Sequence, residues 1–348
     1  MSQFLQDIKN QPRVLSECFR QYIGEYRERL QILSSWREKA PKAPVVFVGM
    51  GSSLYAPLAV TPFLNRQGIP TYIKEAGELF HYGLDGIPQD ALVIAVSQSG
   101  ESIETKNVVE ALQGRHKLVA ITNHTESSIA KEADLVLPMF AGEEAAASTK
   151  TFVASILVLY LASKALFNQP IETEAEKIQA AISGLEKLTG ELIEEIGTYL
   201  EFLGGIESLN VIGRGPTLAS VYHGALIMKE TAGAHAEGLA GGTFRHGPLE
   251  LAGPGHRAII MAPTGKTSEL GINLSRELAE YGSKVLLLSD QKVPGHKNME
   301  QIVMPAVEED LASILYILPL ELLAWDNARR MGWNPGIPRL ITKVTIRE

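Results

Sequence analysis

The feature that most constrains the fold is a series of short, unbroken apolar segments, and the series occurs twice along the chain. The first series is VVFVG (45–49), ALVIAVS (91–97), HKLVAIT (116–122) and ADLVLPM (133–139), and the second is LNVIG (209–213), RAIIMAP (257–263), KVLLLSD (284–290) and QIVMPA (301–306). Continuous runs of Val, Ile and Leu predict strands that helices cover on both faces, as in a parallel sheet. The sequence therefore predicts an α/β fold with two doubly wound lobes.

The two series also resemble each other, which indicates an internal duplication. VFVGMGSS in the first series matches NVIGRGPT in the second, at an offset of roughly 165 residues. Residues 150–200 between the series, and the first 40 residues, have the apolar spacing of helices. We predict a helical segment, a first lobe, linking helices, a second lobe and a tail. Their ranges are 1–40, 41–165, 166–205, 206–328 and 329–348.

The composition excludes several classes of protein. The 348 residues are 45% apolar and 21% charged, as in ordinary globular proteins. With 32 Lys and Arg against 40 Asp and Glu, and no basic cluster, we expect no nucleic-acid partner. No apolar run approaches the roughly 20 residues that span a bilayer, and the N-terminus has no apolar signal core, so we expect no membrane association and a cytoplasmic location. The single cysteine, Cys18, rules out an internal disulfide.

Three polar turns at predicted helix starts are candidate anion sites, namely 49–53, 97–102 and 147–150. Ligands of parallel sheets bind beyond the carboxyl ends of the strands, where helix starts present free N–H groups. Hydroxyls and glycine amides can hold a phosphate there as neutral donors. The residues alone leave open the alternative that these Ser and Thr side chains only cap helices and turns.

Signatures of cofactors and metals are weak. Neither Gly49-x-Gly51 nor Gly213-x-Gly215 continues into a dinucleotide-binding fingerprint. His235 and His246, with Glu237 near the first, are eleven residues apart, and no further ligand stands at a spacing typical of metal sites. We therefore expect no cofactor and no metal.

Four segments carry a family resemblance: SQSGES, EEAAASTKTF, GALIMKETAGAHAEGLAGGTFRHGPLEL and PRLITKVTIRE. They resemble the isomerase half of the glutamine–fructose-6-phosphate aminotransferases, which consists of two sugar isomerase (SIS) domains. The resemblance spans nearly the whole chain and implies two flavodoxin-like SIS lobes and a homodimer with shared active sites. The chain starts with Met-Ser, and Cys18 lies within a helical pattern, so we expect no glutaminase activity.

The resemblance also implies which residues bind and which catalyse. The residues that would bind the phosphate and the sugar are Ser52, Ser53, Ser97, Gln98, Ser99, Ser102, Ala146 and Ser148. Glu230 would move the proton between C2 and C1 of the open sugar. His246 would open the sugar ring, and Lys343 would form a Schiff base at the ketose carbon.

Two positions depart from the family pattern, and the catalytic candidates have structural alternatives. Ser102 stands where the family usually has threonine, and Ile227 stands where the aminotransferases have a lysine. Outside the family context, Glu230 would pair with Lys229 or Arg245. His246 would then cap a turn, and Lys343 would be a solvated lysine of the tail.

We expect an enzyme that converts an aldose 2-amine 6-phosphate into a ketose 6-phosphate and ammonia. One alternative is a deglycase acting on a fructosamine 6-phosphate, which the apolar Ile227 mildly favours, and another is a ketose–aldose isomerase. An alternative from another class is a sugar-phosphate sensor without catalysis. No helix-turn-helix domain fits before the first strand, and a pure sensor would not require Glu230, His246 and Lys343, so the enzyme is favoured.

Overall fold

The chain forms two compact units, each built around one sheet. The computed structural model describes residues 2–144 and 147–340. The first-sheet unit comprises residues 13–144, 150–176 and 339–340, and the second-sheet unit comprises residues 2–12, 147–149 and 177–338.

Three helices precede the first strand. They are α1 (Gln3–Lys9), α2 (Gln11–Ile23) and α3 (Arg27–Lys39). Ser2 caps α1, since its hydroxyl accepts a hydrogen bond from the backbone N–H of Leu5 at 3.3 Å. Cys18 on α2 is fully buried, and burial raises the pKa of its thiol, which makes it unreactive.

The first sheet has five parallel strands in the order β2-β1-β3-β4-β5. Its strands are β1 (Val45–Gly49), β2 (Thr71–Glu75), β3 (Leu92–Val96), β4 (Lys117–Thr122) and β5 (Leu135–Pro138). The helices of this part of the chain are α4 (Ser52–Tyr55), α5 (Thr61–Arg66), α6 (Ala76–Tyr82), α7 (Ile103–Leu112), α8 (Ser128–Glu132) and α9 (Lys150–Ala165). All residues of β1 and β3 are buried, as their unbroken apolar runs predict.

The second sheet repeats this topology in the order β7-β6-β8-β9-β10, again with parallel strands. A 29-residue helix, α10 (Ala175–Leu203), precedes it. Its strands are β6 (Ser208–Gly213), β7 (His235–Ala240), β8 (Arg257–Met261), β9 (Lys284–Ser289) and β10 (Met299–Val303). The helices that follow α10 are α11 (Leu218–Ala232), α12 (Gly241–Arg245), α13 (Ser268–Glu280), α14 (Ala312–Tyr316) and α15 (Leu318–Arg330). The predicted fold class, a duplicated doubly wound α/β fold, is confirmed.

The prediction from apolar segments omits two strands and misplaces the bounds of a third, and all three strands lie at sheet edges. Strands β2 and β7 are not among the predicted segments, because their side chains alternate between buried or half-buried and exposed positions. Strand β10 covers residues 299–303 rather than 301–306. An edge strand has a neighbour on one side only, so its sequence carries a weaker apolar signal.

The most apolar helices are buried in the folded chain. Every residue of α9 is buried, as expected from its apolar run. Residues 309–330 would be long and apolar enough to cross a membrane by length and composition, but 89% of that stretch's most apolar window is buried. This degree of burial is typical of a core helix.

Candidate functional site

The first sheet has a topological switch point between its central strands. Strand β1 has β2 as its other neighbour, whereas β3 leads on to β4 and β5. The loops that follow β1 and β3, residues 49–53 and 97–102, therefore flank the crevice where open α/β sheets bind ligands. The third turn identified from the sequence behaves differently, because residues 147–149 group with the second-sheet unit.

The loop after β3 is held by hydrogen bonds of its own. The backbone N–H of Gly100 donates to the hydroxyl of Ser97 at 3.1 Å, and that of Glu101 donates to the hydroxyl of Ser99 at 3.1 Å. Each hydroxyl thus accepts from the backbone and keeps its hydrogen for another acceptor. Gly100 has a φ of +67°, and a Cβ there would lie 2.0 Å from the hydroxyl of Ser127, so this turn requires glycine.

Free donors converge where this loop enters α7. Ser102 is the N-cap residue, and its side chain makes no capping hydrogen bond. The first N–H groups of α7 therefore lack the usual side-chain acceptor and favour an anion. The carboxylate of Glu101 is turned to α8 instead, where it accepts from the backbone and the hydroxyl of Ser128 at 2.8 and 2.7 Å. Ser97 is buried, while Gln98, Ser99 and Ser102 are half-buried. This loop has the donors and the partial exposure that a phosphate site requires.

The loop after β1 closes against the end of β3. A Cβ on Gly49 would lie 2.9 Å from the backbone of Ser53 and 3.0 Å from the carbonyl oxygen of Val96. Only glycine allows this close approach. The structure thus brings Ser53, with its neighbour Ser52, to the same edge of the sheet as the Ser97–Ser102 loop. Both serines are half-buried.

The corresponding crevice of the second sheet, between β6 and β8, is lined by the chain's own side chains. The backbone N–H of Thr264 donates to Asp290 at 2.8 Å. The side-chain amide of Gln291 donates to the hydroxyls of Thr264 and Ser268 at 3.1 and 2.8 Å. The carboxylate of Glu309 lies against Gly265, where a Cβ would be 2.4 Å from its carboxyl carbon. Asp290 thus takes up a backbone donor of the loop after β8 that an anion would otherwise use.

Glu230 lies two residues before the end of α11 in an environment that favours its neutral form. Burial raises the pKa of this carboxyl to about 7. The alternative pairing with Arg245 does not occur, because Arg245 donates to Glu277 at 2.6 Å. Lys229 is exposed, and within the described part of the chain no cation forms an ion pair with Glu230. A carboxyl with a pKa near 7 exchanges protons readily in both directions at neutral pH.

The end of α11 is fixed immediately after this carboxyl. Gly233 adopts a left-handed conformation with a φ of +61°, and its N–H donates to the carbonyl of Lys229 at 3.2 Å. A Cβ on Gly233 would lie 2.5 Å from the ring of Trp333. Glycine is therefore required at this helix end, and Glu230 has a fixed position in the last turn.

His223 lies beside Ser148, a predicted sugar-binding residue, and the sequence reasoning did not identify it. It is fully buried on α11, two turns before Glu230. Burial lowers the pKa of its imidazole to about 3, and the nearby backbone of Ser148 acts in the opposite direction. Ile227 lies between the two on the same face and is fully buried. The seven-residue spacing from Glu230 was the available signal, because residues seven apart share a helix face.

The remaining predicted residues are scattered or lie outside the described ranges. His246 is exposed, directly after α12, and its backbone N–H donates to the carbonyl of Thr243 at 3.0 Å. Ala146 and Lys343 lie outside the described residues. His235 is exposed, and Glu237 accepts from the side chain of Asn210 at 3.3 Å. Residues 2–144 and 147–340 contain no group of three or more His, Cys, Asp or Glu that could hold a metal ion.

Comparison with known proteins identifies the repeated unit. The family pattern described as SIS domain matches residues 40–165 and 205–326. The glutamine–fructose-6-phosphate aminotransferase of Pyrococcus horikoshii is 31% identical over 346 residues, which cover 97% of this chain and 56% of that protein. The resemblance inferred from the motifs is thereby confirmed. The chain spans just over half the length of this curated relative.

Two solved structures share the fold. The C-terminal domain of glucosamine-fructose-6-phosphate aminotransferase from Francisella tularensis has a TM-score of 0.83 at 22% identity, covering 97% of this chain and 98% of that one. Glucosamine-6-phosphate deaminase from Thermotoga maritima has a TM-score of 0.73 at 22% identity and covers 99% of both chains. The duplicated fold is therefore shared, over nearly the whole of each chain, with two structures named for phosphosugar enzymes.

Proposed function

This chain belongs to the SIS domain family, and from that premise we propose that it is an enzyme acting on phosphorylated amino sugars. The reaction we propose converts an aldose 2-amine 6-phosphate and water into a ketose 6-phosphate and ammonia. Its chemistry requires a proton-transfer group that works near neutral pH, a phosphate site and a means of opening the sugar ring.

The observation that carries this proposal is the environment of Glu230. Its pKa of about 7 has a single cause, burial, and no cation among the described residues opposes it. A group that only stabilised the fold would be paired or exposed, since an unpaired carboxyl in this environment costs free energy. A sensor has no use for that cost, whereas an enolisation catalyst does.

The proposed reaction moves one proton within the sugar before it releases ammonia. Glu230 removes the proton from C2 of the open-chain aldehyde and returns it at C1. Carbon 2 then carries an imine and C1 an alcohol, since O1 gains one proton and the amine nitrogen loses one. Water adds to the imine, and ammonia leaves to give the ketose. The carboxyl acts as base and then as acid, and each role needs a different protonation state of Glu230.

We assign the phosphate to the loops of the first sheet. The hydroxyls of Ser97 and Ser99 accept from the loop backbone and have hydrogens left to donate, and Ser102 stands uncommitted at the start of α7. Ser52, Ser53 and Gln98 complete the proposed site. These neutral donors suit the dianion of a phosphate ester, which helix N-termini also favour.

Three further assignments rest on the family resemblance. His246 would open the ring, and its exposure leaves it accessible to a partner subunit in the proposed homodimer. Lys343 would assist the imine exchange, and Ala146 and Ser148 would line the sugar. We propose no cofactor for this reaction and a cytoplasmic location for the protein.

The test is ammonia or amine release from a panel of substrates, with the wild type and with Glu230→Gln. The panel contains glucosamine 6-phosphate, galactosamine 6-phosphate and fructosamine 6-phosphates of amino acids. We expect release from an amino-sugar phosphate and a loss of at least about 100-fold in Glu230→Gln. The matched control is Glu250→Gln, because Glu250 is an exposed carboxylate of the same unit.

Other outcomes of the panel would replace the proposal with a named alternative. Release from the fructosamine phosphates alone would identify a deglycase. Interconversion of aldose and ketose phosphates without ammonia would identify an isomerase. Thermal stabilisation by these compounds in both wild type and Glu230→Gln, with no turnover, would identify a sensor.

A further inference from the structure

We propose that the second-sheet unit binds an extended, basic segment of a partner protein in a groove between α10 and the edge strand β10. The partner segment adds a strand to the sheet, and its lysine or arginine side chains meet carboxylates of the groove. We call this surface the α10–β10 groove and define it by Glu191, Glu195, Tyr199, Phe202, Glu300 and Val303. Binding of such a segment is independent of the proposed reaction.

The groove consists of two adjoining cavities of about 240 and 200 Å³. The larger cavity lies between residues 188–199 of α10 and 301–303, and the smaller one lies between residues 195–202 and Glu300. Because they share two residues of α10, they form one groove, along which the helix and the strand run in opposite directions. From residue 188 to 202 the helix rises by roughly 21 Å, which is the length of roughly six residues of an extended strand.

Strand β10 has an unpaired edge along this groove. It is the outermost strand of its sheet and pairs only with β9. The backbone N–H of Met304, just after β10, donates to the carbonyl of Ser289 at 3.0 Å. Because backbone groups point to alternate sides along a strand, those of Gln301 and Val303 face away from β9. Val303 is also 47% exposed. Such an edge is a template for a further strand.

The charge of the groove favours a basic occupant. Its charged side chains are the carboxylates of Glu191, Glu195 and Glu300, and no lysine or arginine of the described chain lines it. Glu191 pairs with Lys187 at 3.8 Å, but both side chains are more than half exposed, so this pair contributes little. Within the described residues, Glu195 and Glu300 form no ion pair. Carboxylates also repel nucleic acids and anionic membranes, which leaves a basic protein segment as the occupant.

Aromatic rings at one end of the groove suit an ammonium or guanidinium group. The ammonium of Lys284 already lies over the ring of Phe202, 4.7 Å from its centroid, and it makes no ion pair among the described residues. Burial, together with the charges of Glu195 and Glu300, raises the pKa of the Tyr199 hydroxyl. Both carboxylates therefore act on this ring as well. This end of the groove can hold one basic side chain of the partner.

The spacing of the carboxylates matches that of side chains on a strand. Glu191 and Glu195 are four residues apart on α10, which is a rise of about 6 Å. Side chains two residues apart in a strand lie on one face at about 6.6 Å. A segment with basic residues at alternate positions can therefore meet the two carboxylates in turn.

The first experiment measures binding of a labelled peptide to the full chain by fluorescence anisotropy. The probe has about seven residues, with lysine at alternate positions and threonine or valine between them. We expect saturable binding, and a peptide with glutamate in place of lysine should bind at least about 100-fold more weakly. Equal binding of the two peptides, or none of either, would overturn the proposal.

Two double variants test whether the groove carboxylates are responsible. Glu195→Gln with Glu300→Gln should weaken binding of the lysine peptide by at least about tenfold. The matched control, Glu186→Gln with Glu194→Gln, removes the same charge from exposed positions of α10 outside the groove. It should change affinity by less than about threefold. Equal losses in the two double variants would mean that the peptide follows the overall charge of the chain, and the proposed site would be wrong.

Val303→Pro tests the pairing with the strand edge. Proline removes the outward N–H and leaves the bonds between β9 and β10 in place, since edge strands tolerate it. We expect at least about tenfold weaker binding, whereas Val303→Thr, which keeps the N–H, retains affinity within about threefold. Undiminished binding by a folded Val303→Pro variant would overturn strand addition.

Two measurements on the wild type do not depend on whether any variant folds. With saturating lysine peptide, amide exchange at Gln301 and Val303 should slow by at least about tenfold, and unchanged exchange would overturn the proposal. Sedimentation identifies a second copy of this chain as the occupant, which its net charge of −8 disfavours. A dimer that the lysine peptide dissociates would show that a second copy fills the groove, and it would replace the proposed partner.

Discussion

Asp290 accepts a hydrogen bond from the backbone N–H of Thr264 at 2.8 Å, at the carboxyl edge of the second sheet. The equivalent loop of the first sheet, after β3, has no carboxylate in this role, because Glu101 is engaged by Ser128. With Glu309 against Gly265 as well, the second crevice is occupied by acceptors of the chain itself. The two crevices therefore differ in the donors that the chain itself satisfies, and the proposed phosphate site leads to different predictions for the same substitution in the two repeats.

Ser102 and Thr267 provide a matched pair, since each is the N-cap residue of the helix after the third strand of its sheet and neither makes a side-chain capping bond. We expect Ser102→Ala to weaken binding of a phosphosugar by about tenfold, the effect of one lost hydrogen bond to a charged group. Thr267→Ala leaves affinity within about twofold. Isothermal titration calorimetry measures both, and equal losses would refute the asymmetry.

Gly100→Ala tests whether the loop of the proposed phosphate site requires glycine. The substitution imposes both a positive φ and a contact of 2.0 Å with Ser127, whereas Gly114 has a similar φ of +70° and open space around it. We expect Gly114→Ala to lower the free energy of unfolding by about 1 kcal/mol. Gly100→Ala should lower it by at least about 2 kcal/mol more, and it should abolish stabilisation by phosphosugar. Urea unfolding with and without ligand measures both, and equal costs would contradict the structure.

The raised pKa of Glu230 predicts a dependence of stability on pH. The pKa of about 7 in the folded chain lies above the ordinary glutamate value of 4.5, so between these pH values the folded chain binds more protons than the unfolded chain. This carboxyl therefore favours folding less and less as pH rises to 7. The free energy of unfolding of Glu230→Gln, minus that of wild type, should increase by on the order of 2–3 kcal/mol from pH 4.5 to pH 8. Urea unfolding at both pH values, with Glu250→Gln as control, measures it.

The same group sets the expected pH dependence of turnover. Because the C2 proton is removed by the carboxylate form, kcat/KM should rise with pH through about 7 and then level off. If kcat/KM does not change between about pH 5.5 and 8, Glu230 does not transfer the C2 proton.

His256 predicts a pH effect of the opposite sign. The backbone N–H of Gly253 donates to Ser283, whose hydroxyl lies 3.0 Å from Nδ1 of His256, and Nε2 lies 2.9 Å from the side-chain oxygen of Asn210. Because the side-chain oxygen of Asn210 can only accept, these hydrogen bonds place the hydrogen of the neutral ring on Nε2. Burial lowers the pKa of His256 below its usual 6.5, so the unfolded chain binds the extra proton first as pH falls. Stability contributed by this site is lost below about pH 6.5.

Replacing His256 should therefore reduce the loss of unfolding free energy as pH falls. In urea unfolding between pH 7.5 and 5, His256→Gln is expected to lose less stability than wild type over that interval. His235→Gln is the control, since His235 is exposed in the same unit. An equal loss of stability in wild type and His256→Gln between these pH values would contradict this assignment.

The central strands were predictable from sequence because strands that are buried on both faces consist of consecutive apolar residues. Strands β2 and β7 were not, since edge strands keep exposed positions for polar side chains. The loops after β1 and β3 were found by the same logic, from glycines and hydroxyls that follow predicted strands. Glu230 was identified through the family resemblance, and its structural alternative, a pair with Arg245, was removed only by the contact between Arg245 and Glu277.

The sequence by itself determined the repeated order of strands and helices and the polar loops after the central strands, because these depend on residues close together along the chain. Tertiary structure alone decided which donors of each crevice the chain itself satisfies and how far the pKa of Glu230 rises. Asp290 and Glu309 are both distant in sequence from the groups they contact, Thr264 and Gly265. Desolvation and hydrogen bonding depend on which distant segments pack together, and no local pattern of residues encodes that packing.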